Sequence, residues 1–497
     1  MTAVNLIGAP ESGLLIDGAW ESTGTSLPVT NPARPDELVG AVVAAGPDEV
    51  RAACAAAERA APAWRATPGP ERGRILHEAA TLLAERRAGI AEQLTREEGK
   101  TLPEALGEVD RAIGFLRYYG TAASQAVGEV LPSAVGDRLL FTVREPLGVV
   151  AAITPWNFPI AIPAWKIAPA LAFGNAVVLK PSEVAPLSAV ALAAALQDAG
   201  LPAGVLNVVC GEPAVVGPAL TDDPAVKAIT FTGSHAVGRA IQAGVVERGI
   251  KVQLELGGQN PVIVLDDADL DQAVDQAVRG AMGSSGQKCT ATSRVIVTPG
   301  IRERFTAAFL ERVRALSVGD PLQSGTDLGP LASERQRDGL RSELERAAAA
   351  GQTPVLGGGS PEGPGWFVEP TVYLDPDPES RLAQEEIFGP VVAVLAADDL
   401  EDALRIANGV RYGLSAAVFT RDIGTALRAV RGLEAGIVHV NSETTGTEPQ
   451  VPFGGTKDSS SHSREQGTAA IEFFTSTKTV YLDLPPQAPA AVEPPDE

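Results

Sequence analysis

From Gly148 to Leu254 short apolar runs alternate with Ala-rich segments, and this alternation constrains the fold more than any other feature. Gly148–Ile153, Ala176–Leu179, Val205–Val209, Ala228–Phe231 and Lys251–Leu254 have the length and β-branched content of buried strands. Ser188–Asp198, Val215–Leu220 and Ala236–Arg248 read as the helices between them. Repetition of this kind implies a parallel sheet with helices on both faces. The pattern restarts after Gly257-Gly258. Pro261–Leu265, Arg294–Val297, Val391–Leu395 and Ala416–Phe419 are expected strands there, with helices at Leu270–Met282 and Arg302–Leu316. The fold class is therefore α/β, with a second α/β unit beginning near Gly257.

Upstream, Pro47 to Ala61, Pro70 to Lys100 and Leu102 to Val127 read as helices, and Leu139 to Arg144 as a strand. Residues 485–497 are rich in Pro, Ala and Glu and are expected to be disordered. A chain of 497 residues, 45% of them hydrophobic, can build several cores without disulfides or metal. The net charge of −22 argues against nucleic acid and anionic membranes as partners. Met1 to Glu21 lacks the charged and apolar regions of a signal peptide, and no apolar run approaches the ~20 residues of a membrane span. Cys54, Cys210 and Cys289 are far apart, and the four histidines show no ligand spacing, so neither a disulfide framework nor a metal site is expected. Together these features suggest a cytoplasmic protein.

Cys289 lies in Gly283-Ser-Ser-Gly-Gln-Lys-Cys-Thr290, directly after an expected helix. Small neighbours would let a substrate approach closely, and Lys288 would supply the electropositive setting that a reactive thiol needs. Glu255-Leu-Gly-Gly-Gln-Asn-Pro261 and Thr154-Pro-Trp-Asn-Phe-Pro159 stand upstream. Gln384-Glu-Glu-Ile-Phe-Gly-Pro390 and Pro452-Phe-Gly-Gly455 stand downstream. Phe231-Thr-Gly-Ser-His-Ala-Val-Gly238 closes a strand and opens a helix, which aims backbone N–H groups at a pyrophosphate. With these motifs in this order, from about Trp64 to Val480, the chain resembles the aldehyde dehydrogenase superfamily.

That resemblance implies a Rossmann-like NAD(P)-binding domain (residues 1–128 and 147–256), a catalytic domain (257–472) and a bridging β-flap (129–146 and 473–484). The flap would pair across subunits to give a homodimer or homotetramer. Cys289 would attack the aldehyde carbon. The side-chain amide of Asn157 and the Cys289 N–H would hold the oxyanion, and Glu255 would activate the water that cleaves the thioester. Family members that pass the acyl group to coenzyme A typically lack this Glu. Trp156, Gly233, Ser234, Gly238, Leu256 and Gly257 would surround the dinucleotide. Lys180, Ser182 and Glu183 would meet the adenine ribose, and Glu386 and Phe388 the nicotinamide end. Glu183 would repel a 2′-phosphate, which favours NAD while leaving NADP possible.

The substrate tunnel would be lined by Phe158, Trp165, Thr290 and Phe453. Arg111, on the helix forming another wall, would bind a carboxylate if it faces the tunnel rather than solvent. The stretches around Cys289 and at residues 459–467 resemble a branch acting on 2-oxoglutarate semialdehyde (2,5-dioxopentanoate). Succinate semialdehyde, betaine aldehyde and simple aliphatic aldehydes are the alternatives, followed by a coenzyme-A-acylating enzyme and a non-catalytic binding protein. Two stretches depart from the family pattern. Pro213 replaces a glycine, which would stiffen a cofactor turn. Lys457-Asp-Ser-Ser-Ser-His-Ser-Arg464-Glu465 is one residue longer and lacks glycines, which is expected to alter a loop near the substrate mouth or subunit interface and not the chemistry.

Overall fold

A computed structural model describes residues 13–125, 128–461 and 463–483. The tail at 485–497 lies outside these residues. Among them, one seven-stranded sheet runs in the order Lys251–Glu255, Val226–Thr232, Val149–Ile153, Ala176–Lys180, Leu206–Val209, Leu14–Ile16, Ala19–Trp20. The first five strands are parallel, and Leu14–Ile16 joins antiparallel. The chain starts this parallel set in the middle, at Val149–Ile153. It winds outward through Ala176–Lys180, then returns to the other side at Val226–Thr232. The carboxyl ends at such a reversal leave a crevice for a ligand.

A second, six-stranded sheet is parallel throughout, in the order Thr371–Leu374, Val391–Ala396, Thr292–Val297, Asn260–Val264, Ser415–Phe419, Ile437–Val440. The inner strands Val149–Ile153, Ala176–Lys180, Asn260–Val264 and Ser415–Phe419 are buried along their whole length, as strands covered on both faces must be. The chain crosses between the sheets in the four residues after Glu255.

Several boundaries differ from expectation for identifiable reasons. The span from Pro70 is two helices, Gly69–Glu85 and Arg87–Glu98, broken at Arg86. Gly99, in the left-handed conformation, ends the second. The flap is a three-stranded sheet of Val130–Leu131, Arg138–Pro146 and Thr475–Asp483. Phe473 and Phe474, expected in it, instead close the Gly467–Phe474 helix and are buried in the core. Pro213 strains nothing: it opens the Pro213–Thr221 helix, where its missing N–H has no intrahelical partner to lose. Unforeseen are the helices Ala161–Ala172, Glu334–Ala349, Leu400–Asn408 and Ile423–Gly432 and the strands Thr371–Leu374 and Ile437–Val440. Among the described residues no helix is long and apolar enough to cross a membrane, and no group of three or more His, Cys, Asp or Glu could hold a metal ion.

Candidate active site

The carboxyl ends of the first sheet face the amino ends of the second across a cleft of about 210 Å³. Its lining includes nine of the residues expected from sequence: Trp156, Asn157, Gly233, Ser234, Leu256, Gly257, Cys289, Glu386 and Phe388. Pro155, Thr232 and Gln336 complete it. Asn157 follows the Val149–Ile153 strand, and Gly233-Ser234 follow Val226–Thr232, so both flank the reversal point of the first sheet. Cys289 precedes Thr292–Val297, and Glu386 and Phe388 precede Val391–Ala396.

The thiol sits on a tightly wound loop. Ser284 and Ser285 have φ of 52° and 51°, a left-handed conformation that costs an L side chain about 1 kcal/mol or more each. Hydrogen bonds hold them: Ser284 N–H donates to Glu104 (2.6 Å) and Ser285 Oγ to Gly329 O (2.8 Å). Asn157 Nδ2 donates to Gln287 O at 2.9 Å, and Asn260 Nδ2 to Cys289 O and Ala291 O, each at 2.8 Å. An amide NH₂ carries two hydrogens, so Asn157 keeps one for a substrate oxygen in the cleft. Lys100 Nζ anchors the same residue through its carbonyl at 2.7 Å.

Lys288 does not supply the expected positive setting. Its buried amine turns to Arg279 O at 3.3 Å, and burial lowers its pKa. Burial, reinforced by the charges of Glu386 and Glu255, pushes the Cys289 thiol up to about 12. The thiol is thus held protonated and partly exposed to the cleft, and its attack requires a proton acceptor.

Glu255 ends its strand 2% exposed. Its carboxyl is raised well above the usual range by burial first and then by Glu465; the Ser460 hydroxyl, Lys166 and Arg464 oppose the rise. Glu465 itself is paired with Lys166, whose Nζ also donates to Thr230 Oγ1 at 2.8 Å. Ser460 Oγ donates to Glu255 Oε2 at 2.7 Å. The 457–465 segment, expected near the substrate mouth or subunit interface and apart from the chemistry, therefore touches the candidate base. The motif glycines lost from this stretch gave no sign of that contact, and the Glu465–Lys166 pair had no sequence signal at all.

The residues present fit a dinucleotide. A Cβ on Gly257 would lie 2.2 Å from Glu386 Oε2, so only glycine lets this carboxylate reach the cleft. Glu386 Oε1 accepts from Gly258 N at 3.0 Å, and burial raises the carboxyl to about 7. Ser234 caps the His235–Val245 helix, and a Cβ on Gly238 would strike Leu256 at 2.6 Å. Trp156 and Phe388 meet edge to face at 5.5 Å. Lys180 is buried at the end of its strand, with Nζ 3.4 Å from the half-buried Glu183; Ser182 Oγ accepts from Val184 N–H.

The expected tunnel residues Phe158, Trp165, Thr290 and Phe453 and the helix residue Arg111 are not part of this lining. Phe158 has Lys100 Nζ 4.3 Å and the Arg111 guanidinium 5.9 Å from its ring centre. Trp165 lies between Phe115, which it meets edge to face, and Phe453, which is tilted against it, each with ring centres 5.6 Å away. Thr290 is buried, and its carbonyl accepts from Thr444 Oγ1 at 2.8 Å.

Comparison with known proteins agrees with this geometry. The Aldehyde dehydrogenase family profile matches residues 20–480. Alpha-ketoglutaric semialdehyde dehydrogenase of Bacillus subtilis is 47% identical over 94% of this chain and 97% of its own length. Alpha-ketoglutarate semialdehyde dehydrogenase of Haloferax volcanii is 48% identical over 94% and 98%. A crystal structure of betaine aldehyde dehydrogenase from Staphylococcus aureus in complex with NAD+ superposes with a TM-score of 0.94 at 34% identity, covering 98% of this chain and 97% of the other. The chain belongs to the aldehyde dehydrogenase family and is an NAD(P)-dependent oxidoreductase acting on aldehydes.

Proposed function

We propose that this enzyme oxidises an aldehyde carrying a distal carboxylate, 2-oxoglutarate semialdehyde (2,5-dioxopentanoate), to the free dicarboxylic acid, with NAD as the preferred cofactor. Cys289 Sγ adds to the aldehyde carbon as its proton passes to solvent water at the partly exposed thiol, and the free N–H of Asn157 with the backbone N–H of Cys289 stabilises the resulting oxyanion. Bound NAD supplies the hydride acceptor that turns this adduct into a thioester. Glu255 then takes a proton from water, the water oxygen bonds to the acyl carbon, and the C–S bond breaks to release the acid and the thiol. No coenzyme A is needed.

Arg111 carries the substrate reading. Its guanidinium is largely enclosed, and burial lowers its pKa. Among the described residues it has no ion pair or hydrogen bond. The charges nearest to it, Glu108 and Glu443, are committed to Lys100 at 2.6 Å and Arg279 at 3.0 Å. An enclosed, unpaired cation beside Phe158 suits an anionic substrate group. The same ring, already flanked by two cations, is a poor seat for a trimethylammonium group, which disfavours betaine aldehyde. The names of the Bacillus and Haloferax relatives point the same way.

The division into an NAD(P)-binding domain (1–128, 147–256), a catalytic domain (257–472) and a flap (129–146, 473–484) is part of this reading, as is a cytoplasmic homo-oligomer. Exposed Val130, Leu131, Leu139, Tyr481 and Leu482 on the flap support pairing between subunits.

The test is kcat/KM for 2-oxoglutarate semialdehyde, succinate semialdehyde, betaine aldehyde and an aliphatic aldehyde, without coenzyme A. Arg111→Gln is expected to lower kcat/KM about a hundredfold for the preferred carboxylated aldehyde, the worth of a charge-assisted hydrogen-bond pair, and to leave the aliphatic one little changed. An equal loss for both would sink the role of Arg111. A requirement for coenzyme A would sink the hydrolytic reading.

A further inference from the structure

The 459–461 segment lies along the free edge of the first sheet, on the strand that ends in Glu255. Leu256 N–H donates to Ser459 O at 2.8 Å, Ser461 N–H to Leu254 O at 2.9 Å, and Leu254 N–H to Ser461 Oγ at 3.0 Å. Glu255 and Ser460 thus face each other as an antiparallel bridge. Ser459 Oγ ties the segment down by accepting from Gly413 N–H at 3.0 Å.

Ser460 Oγ accepts from Gly455 N–H at 2.6 Å. When Glu255 is ionised its Oε2, 2.7 Å away, can only accept, so the single hydroxyl hydrogen is directed to it. The other oxygen, Oε1, is buried and has no partner among the described residues. It faces Gly454, where a Cβ would lie 2.7 Å away, so the backbone there leaves room only for a glycine.

We propose that Ser460 is a positioning residue for Glu255: its hydroxyl clamps Oε2 so that the unpartnered Oε1 is the oxygen that accepts the proton of the hydrolytic water. The inference rests on Glu255 being the base. The other charged or titratable groups bearing on Glu255 are Glu465, Lys166 and Arg464, and Cys289 senses its charge. Burial and Glu465 favour the protonated carboxyl, and Lys166 and Arg464 oppose them from a distance. Among the described residues Ser460 makes the one direct hydrogen bond to the carboxylate. Such a bond stabilises the charged form, so losing it moves the titration to higher pH.

The experiment separates acylation from hydrolysis. Holoenzyme with NAD is mixed with 2-oxoglutarate semialdehyde, NADH is followed optically, and the acyl group on Cys289 is followed by intact mass across a range of pH. In Ser460→Ala the NADH burst is expected to persist. Acyl-enzyme hydrolysis should slow about tenfold at neutral pH, and its acid limb should move up by about one unit, the lower end of what a hydrogen bond to a charged group is worth. Ser460→Thr, which keeps the hydroxyl, should restore the native profile. A Ser460→Ala profile that superimposes on wild type would overturn the proposal, as would a Ser460→Thr as slow as Ser460→Ala. If Ser460→Ala shows no burst, Ser460→Cys is read on the same axis: an upward shift of the acid limb supports the clamp and an unmoved limb overturns it. Glu255→Gln serves as the reference. Wild-type hydrolysis in that variant would fail the base assignment itself, whereas acyl-enzyme accumulation there with no shift in Ser460→Ala would fail the clamp alone.

Discussion

The first sheet meets the cleft with the carboxyl ends of its strands, and the second meets it with its amino ends. Both are parallel and doubly covered, yet they do different work. The first offers what a strand-to-helix turn offers: Ser234 at a helix start, Lys180 at a strand tip, Asn157 just past another. The second offers Cys289, Glu386 and Phe388 on loops that lead into two adjacent strands, starting at Thr292 and Val391. Loops at amino ends have no helix dipole to aim at a ligand. They are shaped instead by left-handed serines and by side-chain amides such as Asn157 and Asn260. The thiol belongs to the second wall and the helix-start turn at Ser234 to the first, but the roles interlock: Asn157 and Glu255 bring chemistry to the first wall, and Glu386 and Phe388 bring cofactor contacts to the second.

The largest separation is expected from Cys289→Ala. It should lower aldehyde oxidation by more than about 10⁴-fold, the usual scale for a lost nucleophile, while NAD affinity measured by calorimetry stays within about threefold. A large loss of NAD affinity would mean that the thiol serves the cofactor as well. Substantial remaining oxidation would mean that the nucleophile is another group.

A smaller effect is expected from Gly257→Ala, which strikes where the walls touch. The new methyl would meet Glu386 Oε2 at 2.2 Å, and the carboxylate must swing away. Dinucleotide KM should rise by about tenfold to a hundredfold, the worth of one or two charge-assisted hydrogen bonds. The rate of the NADH burst at saturating dinucleotide should fall much less. Equal falls in both would show that Gly257 serves the thiol as much as the cofactor.

The contrast between the walls also explains how much the sequence discloses. The first sheet is legible because its strands are short apolar runs separated by helices of ordinary length, and each functional turn sits in a motif. The second is harder because of the stretch from about Asp320 to Ser380. Leu340, Leu344 and Ala347 anchor the Glu334–Ala349 helix in a small satellite core, but Arg and Glu crowd the rest of it and blur the period. Asn260 stood inside a quoted motif and carried no assigned role, since a side chain that bonds two carbonyls across a loop has no spacing signature. Ser460 was hidden for another reason. Its contact with Glu255 is made across more than two hundred residues of chain, by a segment whose only mark was the absence of glycines. Arg111 could be placed on a helix but not turned inward or outward, because its environment depends on Phe158, which follows a strand of the first sheet.

The finest prediction concerns Glu386, the carboxyl of the second wall that faces the first. Burial raises it to about 7 in the folded protein, from an ordinary value of 4.5. Between those two pH values the folded chain holds a proton that the unfolded chain has released. The associated stability is fully present below about pH 4.5 and is lost as pH rises toward 7. Glu386→Gln cannot ionise, so its thermal midpoint should lack this component. Relative to the variant, the wild type should lose about 1 °C across the window, small because Glu386 is only half-buried and a chain of this size spreads a given free energy over a large unfolding entropy. Saturating NAD should shrink the difference if cofactor hydroxyls donate to the charged carboxylate, since a ligand that prefers the ionised form draws its titration back down. If the pH slopes of wild type and Glu386→Gln coincide with and without NAD, Glu386 is already ionised in the free enzyme, and its side of the cleft is more open to water than its geometry implies.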